Sequence, residues 1–195
     1  ARKIIFDSDG NVENIGINLG TENIIPLFMD HIFIKKEVFM RIVKNTVEKD
    51  SARYLSQAIM NHKNELNIGS FEVKSHVEYI RDLQSFYIAN LNLLNEGIYA
   101  DLFLLGSGIL TKNKDEPSTL YKEGNKVSNS IIANGSIIEG EVSDSVLFRQ
   151  VKIGKNAIVK NSIIFQGAII EDGAIVVNSI VDKNAVVKQN VFVQG

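Results

Sequence analysis

The chain has 195 residues, 45% of them hydrophobic, and a formal net charge of −2. This size allows one or two domains with a buried core, and the near-neutral charge argues against a broad nucleic-acid-binding surface. The absence of cysteine excludes disulfides and thiolate metal sites and is compatible with the cytoplasm. We expect neither a membrane span, which needs ~18 apolar residues in a row, nor a signal peptide.

The first 105 residues predict an incomplete mixed α/β domain. A β-hairpin is expected between Lys3 and Ile17, because Asp9-Gly10 is typical of a tight turn between two apolar strands. Because a strand follows almost directly on Ala1, we interpret this part as the end of a longer domain. Apolar spacing predicts further strands over 28–34 and 69–77, helices over 35–48, 83–94 and 95–105, and a helix capped by Asp50 or Ser51 that carries Leu55 and Ile59.

Residues 106–126 are predicted to be a linker. Gly106 and Gly108 break the last helix, and the charged stretch around Pro117 has only weak periodicity. This composition is typical of an extended connection between two domains.

Residues 127–195 repeat with a fixed period. Rows that begin at Val127, Val142, Val159 and Val176 start 15, 17 and 17 residues apart, and aliphatic residues return every five or six positions within each row. No helical period gives this spacing. It fits a coil of three short strand faces with a corner between each pair, so we predict a triangular parallel β-helix of about four coils.

Two polar columns accompany the repeat and predict ladders of hydrogen bonds along one edge of the coil. The prediction includes one defect, because a carboxylate replaces an amide and one amide contact should be lost there. We interpret both columns as structural. They consist of Asn129, Asp144, Asn161 and Asn178, and of Ser130, Ser145, Ser162 and Ser179.

The residues that could support catalysis are few. Hexapeptide-repeat acyltransferases use a histidine between coils, and all three histidines here precede residue 127, which argues against that activity. We expect His31, His62 and His76 to be paired or exposed rather than metal ligands. The glycines do not form a phosphate-binding loop. A basic group favours a solvated surface or, as the weaker alternative, a site for a phosphorylated effector formed by Lys112, Lys114 and Arg149.

Several phrases resemble the carboxy-terminal part of the bacterial glucose-1-phosphate adenylyltransferase (ADP-glucose pyrophosphorylase) family. They are Gln-Ser-Phe-Tyr-Ile-Ala-Asn-Leu-Asn-Leu-Leu at 84–94, the linker phrase at 110–117, and the coil phrases at 137–140, 145–149 and 159–167. The resemblance covers almost the whole chain. It implies that residues 1–105 are the tail of a nucleotidyltransferase domain and that residues 127–195 form a left-handed β-helix.

Members of this family join ATP and glucose 1-phosphate to give ADP-glucose and pyrophosphate, with Mg²⁺. Their glycine-rich nucleotide loop lies at the start of the catalytic domain and has no counterpart in this chain. The resemblance therefore implies that this chain alone is inactive and holds no cofactor, and that Mg²⁺ and ATP bind to a catalytic partner.

The departures from the catalytic pattern concern the sugar-phosphate and metal sites. Tyr79 stands where catalytic members have the metal-binding aspartate, and a neutral phenol is a poor Mg²⁺ ligand. Arg81 replaces a glycine and brings a positive charge. Met29 and Asp30 replace a Met-Gly pair, and Asp30 would repel a sugar phosphate. We therefore expect a vestigial pocket of Met29, Asp30 and Tyr79. Asp82 is an alternative ligand, although a three-residue slip on a strand reverses the face.

These departures resemble the non-catalytic, GlgD-like subunit type. The resemblance implies a regulatory role in cytoplasmic glycogen synthesis, with the β-helix used for assembly and allosteric coupling. The expected partner is a catalytic glucose-1-phosphate adenylyltransferase subunit in a hetero-oligomer, or a second copy in a homo-oligomer through the β-helix. Two alternatives stay open, a competent sugar-1-phosphate nucleotidyltransferase and a purely structural β-helix.

Overall fold

The computed structural model describes residues 2–17, 26–105 and 114–195. The chain divides into two compact units, residues 1–73 and 74–195. The first unit holds a hairpin and two helices, and the second holds two helices and a coil of short strands. Among the described residues, none of the helices is long and apolar enough to span a bilayer.

The first unit opens with the predicted hairpin. Strands β1 (Lys3–Phe6) and β2 (Val12–Gly16) pair antiparallel. The Asp7 carboxylate closes the turn by accepting the backbone N–H of Asn11 at 2.8 Å. Gly10 lies in the turn with a φ of 82°, a conformation that glycine adopts without a steric penalty.

Two α-helices and a short 3₁₀ helix (Lys63–Glu65) follow in this unit. Helix α1 (Lys36–Lys49) matches the prediction, and α2 (Leu55–Asn61) follows it. The predicted cap of α2 at Asp50 or Ser51 is wrong, because Asp50 ends α1 with a φ of 45° and its N–H donates to carbonyls of the last turn. Tyr54 precedes α2 instead. A small buried core forms around Ile42, Ala58 and Ile59.

The strands predicted over 28–34 and 69–77 do not form in the described structure. Leu27, just before the first segment, makes an isolated bridge to Lys3. Within the segment, Asp30 interrupts the extended chain with a φ of 57°. In the second, Phe71 is 90% exposed. An apolar run becomes a strand only where a neighbouring strand supplies a series of backbone hydrogen bonds. In the first segment the Phe28 N–H donates to the Arg2 carbonyl at 2.9 Å, but this pairing does not continue along the segment.

The second unit opens with the two predicted helices. They are α3 (Leu83–Asn92) and α4 (Glu96–Phe103), each capped by a side chain before its first residue. Both helices belong to the same compact unit as the coil. The expected assignment of residues 1–105 to one nucleotidyltransferase-like domain stays a prediction.

The coil is a parallel β-helix with three sheets, as the repeat predicts. The first sheet contains β4 (Lys126–Ser128), β7 (Glu141–Ser143), β10 (Ile158–Lys160), β13 (Ile175–Val177) and β16 (Phe192–Gln194). The second contains β5 (Ile131–Ile132), β8 (Val146–Leu147), β11 (Ile163–Ile164) and β14 (Ile180–Val181). The third contains β3 (Leu120–Tyr121), β6 (Ile137–Ile138), β9 (Lys152–Ile153), β12 (Ile169–Ile170) and β15 (Val186–Val187).

The predicted register of the coil is confirmed. Val159 pairs with Val142 on one side and Val176 on the other, and the same alignment reaches Val127 and Val193. The coil begins earlier than expected, because β3 pairs with β6 and lies inside the predicted linker. Strand β3 contributes only two apolar residues within a charged stretch, which is too few to show a period in the sequence.

The inside of the coil is a continuous apolar stack. Ile153, Ile164 and Ile170 have at most 2% of their surface exposed. Small residues, such as Ala157 and Ala174, are fully buried next to the corners. Each inward aliphatic residue stabilises the stack by about 1.5–3 kcal/mol when fully buried, so the coil is the stiff part of the chain.

The serine column forms a ladder, and one side-chain bond links two members of the other column. The N–H of Ser162 donates to the Ser145 hydroxyl at 3.0 Å, and the same contact recurs one coil earlier and one coil later. At Asp144 an amide pair is lost, as expected. The Asn129 amide donates to the Asp144 carboxylate at 2.8 Å, so a charge-assisted bond takes the place of an amide pair.

Candidate functional site

Helix α3 is fixed to the second sheet of the coil by aromatic and polar contacts. Phe86 stacks on Phe165 with ring centroids 5.9 Å apart, and Phe165 stacks on Phe148 at 4.8 Å. The Tyr87 hydroxyl donates to the backbone carbonyl of Asn161. Burial raises the pKa of Tyr87 above its usual value of 10.0, which favours the neutral phenol that donates this bond.

The outward side of the second sheet shows what this docking achieves. Val146 and Ile163 alternate with the inward residues of β8 and β11, yet only 5% and 0% of their surfaces are exposed. Helix α3 contacts β11 directly. It therefore closes one of the three faces of the coil and joins the segment before α3 to that face.

The start of α3 is held by a capping box. Asp82 accepts the backbone N–H of Ser85 at 2.8 Å, and the Ser85 hydroxyl accepts the N–H of Asp82 at 3.0 Å and that of Arg81 at 2.9 Å. The Ser85 N–H lowers the pKa of Asp82, with the Ser85 hydroxyl as a further cause. The Asp82 carboxylate thus serves the helix terminus, a structural role that competes with metal binding.

A second polar network ties the preceding segment to both helices. Glu78 accepts a hydrogen bond from the Asn92 amide at 2.7 Å and lies 2.8 Å from a ring nitrogen of His76. The N–H of His76 donates to Asp101 at 2.5 Å. The Asn92 amide, followed by His76, lowers the pKa of Glu78. Sequence analysis missed this network, because its members are up to 25 residues apart and no spacing marks them.

Comparison with known proteins gives matches to the coil and to longer stretches. Residues 117–194 match the family described as "GlmU-like, C-terminal hexapeptide". The "Glycogen biosynthesis protein GlgD" of Bacillus subtilis (strain 168) is 31% identical over 134 residues, 69% of this chain and 36% of that protein. The GlgD protein of Geobacillus stearothermophilus is 51% identical over 71 residues, 36% of this chain and 21% of that protein.

A "Glucose-1-phosphate adenylyltransferase" of Mycoplasma mobile is 37% identical over 94 residues, 48% of this chain and 25% of that protein. The chain is similar to proteins of the glucose-1-phosphate adenylyltransferase family, and in particular to those of the GlgD type. The family expected from the phrases at 84–94 and 110–117 is thereby confirmed. The matched stretches span 36% or less of the length of these three relatives.

The Mg²⁺ chemistry of the adenylyltransferase family does not fit the residues before α3. Tyr79, which we expect at the position of the family's metal-binding aspartate, is 46% exposed and offers a phenol. Arg81 is exposed and adds a positive charge, and Asp82 is occupied by the cap. Hard cations prefer carboxylate oxygens, so we derive no step through a metal here.

The expected vestigial pocket is divided between the two units. Met29 and Asp30 lie in the first unit, where Met29 is 37% exposed and Asp30 pairs with Arg2. The carbonyl of Met29 lies 2.7 Å from a ring nitrogen of His31. Tyr79 lies in the second unit. A shared pocket of Met29, Asp30 and Tyr79 stays a prediction.

The basic residues near the first coils lie in different settings. Lys112, one of the three residues of the expected effector site, lies outside the described residues. Lys114 is exposed, and Arg149 is partly buried at a coil corner, where its carbonyl accepts the Gly167 N–H at 3.0 Å. Lys122 pairs with Glu139 at 2.9 Å. The effector site of Lys112, Lys114 and Arg149 stays a prediction.

The histidines are paired, as expected. A ring nitrogen of His62 lies 2.9 Å from the Ala58 carbonyl, and His31 and His76 have the partners described above. Within residues 2–17, 26–105 and 114–195, no group of three or more histidine or acidic side chains is arranged to hold a metal ion.

Proposed function

We propose that this chain is part of the non-catalytic, regulatory subunit of a glucose-1-phosphate adenylyltransferase that works in cytoplasmic glycogen biosynthesis. The GlgD relatives of Bacillus subtilis and Geobacillus stearothermophilus are named for glycogen biosynthesis, and other relatives are named as the adenylyltransferase itself. A chain without cysteine suits a reducing compartment.

The observation that carries the regulatory assignment is the chemistry at the family's metal position. Tyr79 offers no anionic oxygen, Arg81 would repel a cation, and Asp82 is engaged by the N-terminus of α3. Restoring a Mg²⁺ site would require Asp82 to leave the cap, which would expose unpaired N–H groups of the helix. This subunit would therefore act on a partner that binds MgATP and glucose 1-phosphate.

The docking of α3 suggests how the subunit would act. The segment that contains Tyr79 leads directly into α3, and α3 is fixed to the coil through Phe86, Tyr87 and Phe165. Assembly of the stiff coil with a catalytic subunit would therefore constrain the loop before α3. The proposed partner is a catalytic adenylyltransferase subunit in a hetero-oligomer, with homo-oligomers as the simpler assembly.

The test is ADP-glucose formation by the intact parent protein, alone and mixed with its catalytic partner, with MgATP and glucose 1-phosphate. We expect no turnover alone, and in the mixture a higher rate or a changed affinity for substrate. The Phe165→Ala parent, in which α3 is loosened from the coil, should raise the rate less than the unchanged parent.

Robust turnover by the parent alone would contradict the proposal. It would mean that Tyr79 does not replace the metal ligand and that the parent is a competent sugar-1-phosphate nucleotidyltransferase, as the adenylyltransferase relative of Mycoplasma mobile is named. A catalytic partner that behaves identically with and without the parent would leave only a structural role for the β-helix.

A further inference from the structure

The third sheet of the coil has an outward side that no described element covers. One column of its outward residues is apolar except at the central strand, where Lys152 is exposed. Leu120 is 53% and Val186 44% exposed, whereas Val146 and Ile163 on the outward side of the second sheet are buried under α3. The outward column, in coil order, consists of Leu120, Ile137, Lys152, Ile169 and Val186.

A second outward column runs beside the first, one position after each inward residue. Its outer members form two ion pairs, Lys122 with Glu139 at 2.9 Å and Lys188 with Glu171 at 3.1 Å. The central member is Gly154, which has no side chain. A notch therefore opens in the middle of the column, as part of a surface cavity of about 460 Å³ that is lined by both columns.

The notch is acidic. Glu139 and Glu171 flank it, and Lys188 lowers the pKa of Glu171, which keeps that carboxylate ionised. A carboxylate oxygen of Asp172 lies 2.4 Å from the point that a Cβ on Gly154 would occupy, so this side chain lies in the notch itself. Lys152, on the neighbouring column, makes no ion pair with any residue that the structure describes.

We infer that the third sheet binds the third sheet of a second copy of this chain, with Lys152 of each copy entering the Gly154 notch of the other. The surface is self-complementary in charge. It carries the cations Lys122, Lys152 and Lys188 and the anions Glu139, Glu171 and Asp172, so its net charge is zero.

The charge pattern also selects the symmetry of the pair. A twofold axis parallel to the coil axis places each column of one copy opposite the other column of its partner. Lys152 then faces the acidic notch, and Ile137 and Ile169 face the aliphatic parts of the Glu139 and Glu171 side chains. An isologous interface of this kind repeats each contact twice.

The antiparallel alternative is unfavourable. An axis perpendicular to the coil axis would place each column opposite itself in reverse order. Lys152 would face Lys152 of the second copy, and Glu139 would face Glu171, so like charges would oppose each other throughout the contact. The parallel pair is therefore the specific arrangement that these side chains favour.

The size of the surface predicts a dimer that depends on concentration. Five strands at a spacing of ~4.8 Å place the outer strands roughly 19 Å apart. A face of this height, with two outward columns of side chains, buries less area than the ~800 Å² that each partner of a standard interface buries. The inference is independent of the regulatory assignment, because self-association can be measured without a catalytic partner.

The experiment is sedimentation velocity of the 195-residue chain over a range of concentrations. We expect a monomer–dimer equilibrium whose dissociation constant rises at least about tenfold in Lys152→Glu, since the substitution places a carboxylate against three others. The matched control is Lys160→Glu, an exposed lysine on β10 of the first sheet, which should leave the equilibrium unchanged. Circular dichroism would verify that both variants are folded.

The orientation has its own test, because the chain contains no cysteine. In Leu120→Cys the single thiols lie on facing first coils of the parallel pair, so a short bis-maleimide should join two chains. In the antiparallel pair they would be about 19 Å apart along the coil axis, and no product should form.

Three outcomes would overturn the inference: a chain that stays monomeric at every concentration, a dimer that Lys152→Glu leaves unchanged, or a dimer in which the thiols at position 120 do not react. A chain that is monomeric alone but loses binding to a catalytic subunit through Lys152→Glu would assign this surface to the hetero-oligomer instead. If the parent does not change ADP-glucose formation by the catalytic partner, that result would contradict the proposed function but not the dimer inferred here.

Discussion

The corners of the coil depend on residues that tolerate a left-handed backbone. Asn156, Asn161 and Asn184 have φ values of 56°, 45° and 58°, and Gly167 has a φ of 73°. A Cβ on Gly167 would lie 2.4 Å from the amide oxygen of Asn184, one coil further along the stack. The Asn184 side chain therefore occupies the space that the absence of a side chain at Gly167 leaves on the preceding coil.

This geometry predicts that Gly167→Ala destabilises the coil by about 2–3 kcal/mol, because both the backbone and the contact with Asn184 are strained. Gly124→Ala is the matched control. Gly124 also has a positive φ, of 88°, but nothing lies within 4 Å of its added Cβ. It should cost only about 1 kcal/mol, and urea denaturation followed by circular dichroism would measure both changes. Equal losses would mean that Asn184 moves aside freely.

Sequence alone predicts which residues share a column but not which atoms bond. The period placed Ser145 beside Ser162 and Asn129 beside Asp144, and both pairs are in contact. The donor in the serine column is a backbone N–H, and a charge-assisted bond to the Asp144 carboxylate replaces the amide pair whose loss was expected. A residue type fixes neither the donor nor the rotamer, so these details follow only from the three-dimensional structure.

At the scale of elements, periodicity was a good guide to helices and a poor guide to isolated strands. Helices α1, α3 and α4 follow from apolar spacing within one segment. The segments 28–34 and 69–77 have strand-like composition but do not pair as strands with any described residues. The short strands of the coil were predictable because repetition supplies their partners at a known distance along the chain.

The docking of α3 on the coil leads to a pH-dependent prediction. Burial raises the pKa of Tyr87 above 10.0. A raised folded-state pKa stabilises the fold below the pKa of the unfolded state, and this stabilisation disappears as the pH rises through the folded-state value. We expect Tyr87→Phe to cost about 1 kcal/mol at pH 7, through loss of the hydrogen bond to Asn161, and this difference from the parent to shrink above about pH 10.

Urea denaturation of both proteins at pH 7, 9 and above 10 measures this difference. Lysines lose their protons in the same range in both proteins, so the comparison isolates the phenol. If the difference in the free energy of unfolding between the two proteins is constant with pH, the raised pKa cannot belong to Tyr87. In a double-mutant cycle, Tyr87→Phe and Phe165→Ala should be non-additive, because both side chains hold α3 against the coil.

At the scale of the whole molecule, resemblance to the family indicates the order of the parts, and the structure shows how differently the two units are packed. The coil contains a continuous core from Ile138 to Val187. The described part of the first unit has a few buried residues around Ile42, while Phe33 and Phe71 are 102% and 90% exposed. The expected pocket of Met29, Asp30 and Tyr79 could not be judged from sequence, because it depends on how distant segments meet.

The difference in packing predicts a hierarchy of local stability in the 195-residue chain. Amide exchange requires local or global opening, and regions with few buried apolar contacts open more easily. We expect the amides of β8, β11 and β12 to exchange at least about 100-fold more slowly than those of α1 and α2, which are hydrogen-bonded but rest on a small core. Hydrogen exchange read by mass spectrometry after proteolysis would measure both regions in one sample. Equal protection of α1 and the coil strands would mean that the first unit unfolds only with the coil, and the low packing around Ile42 would then not limit its stability.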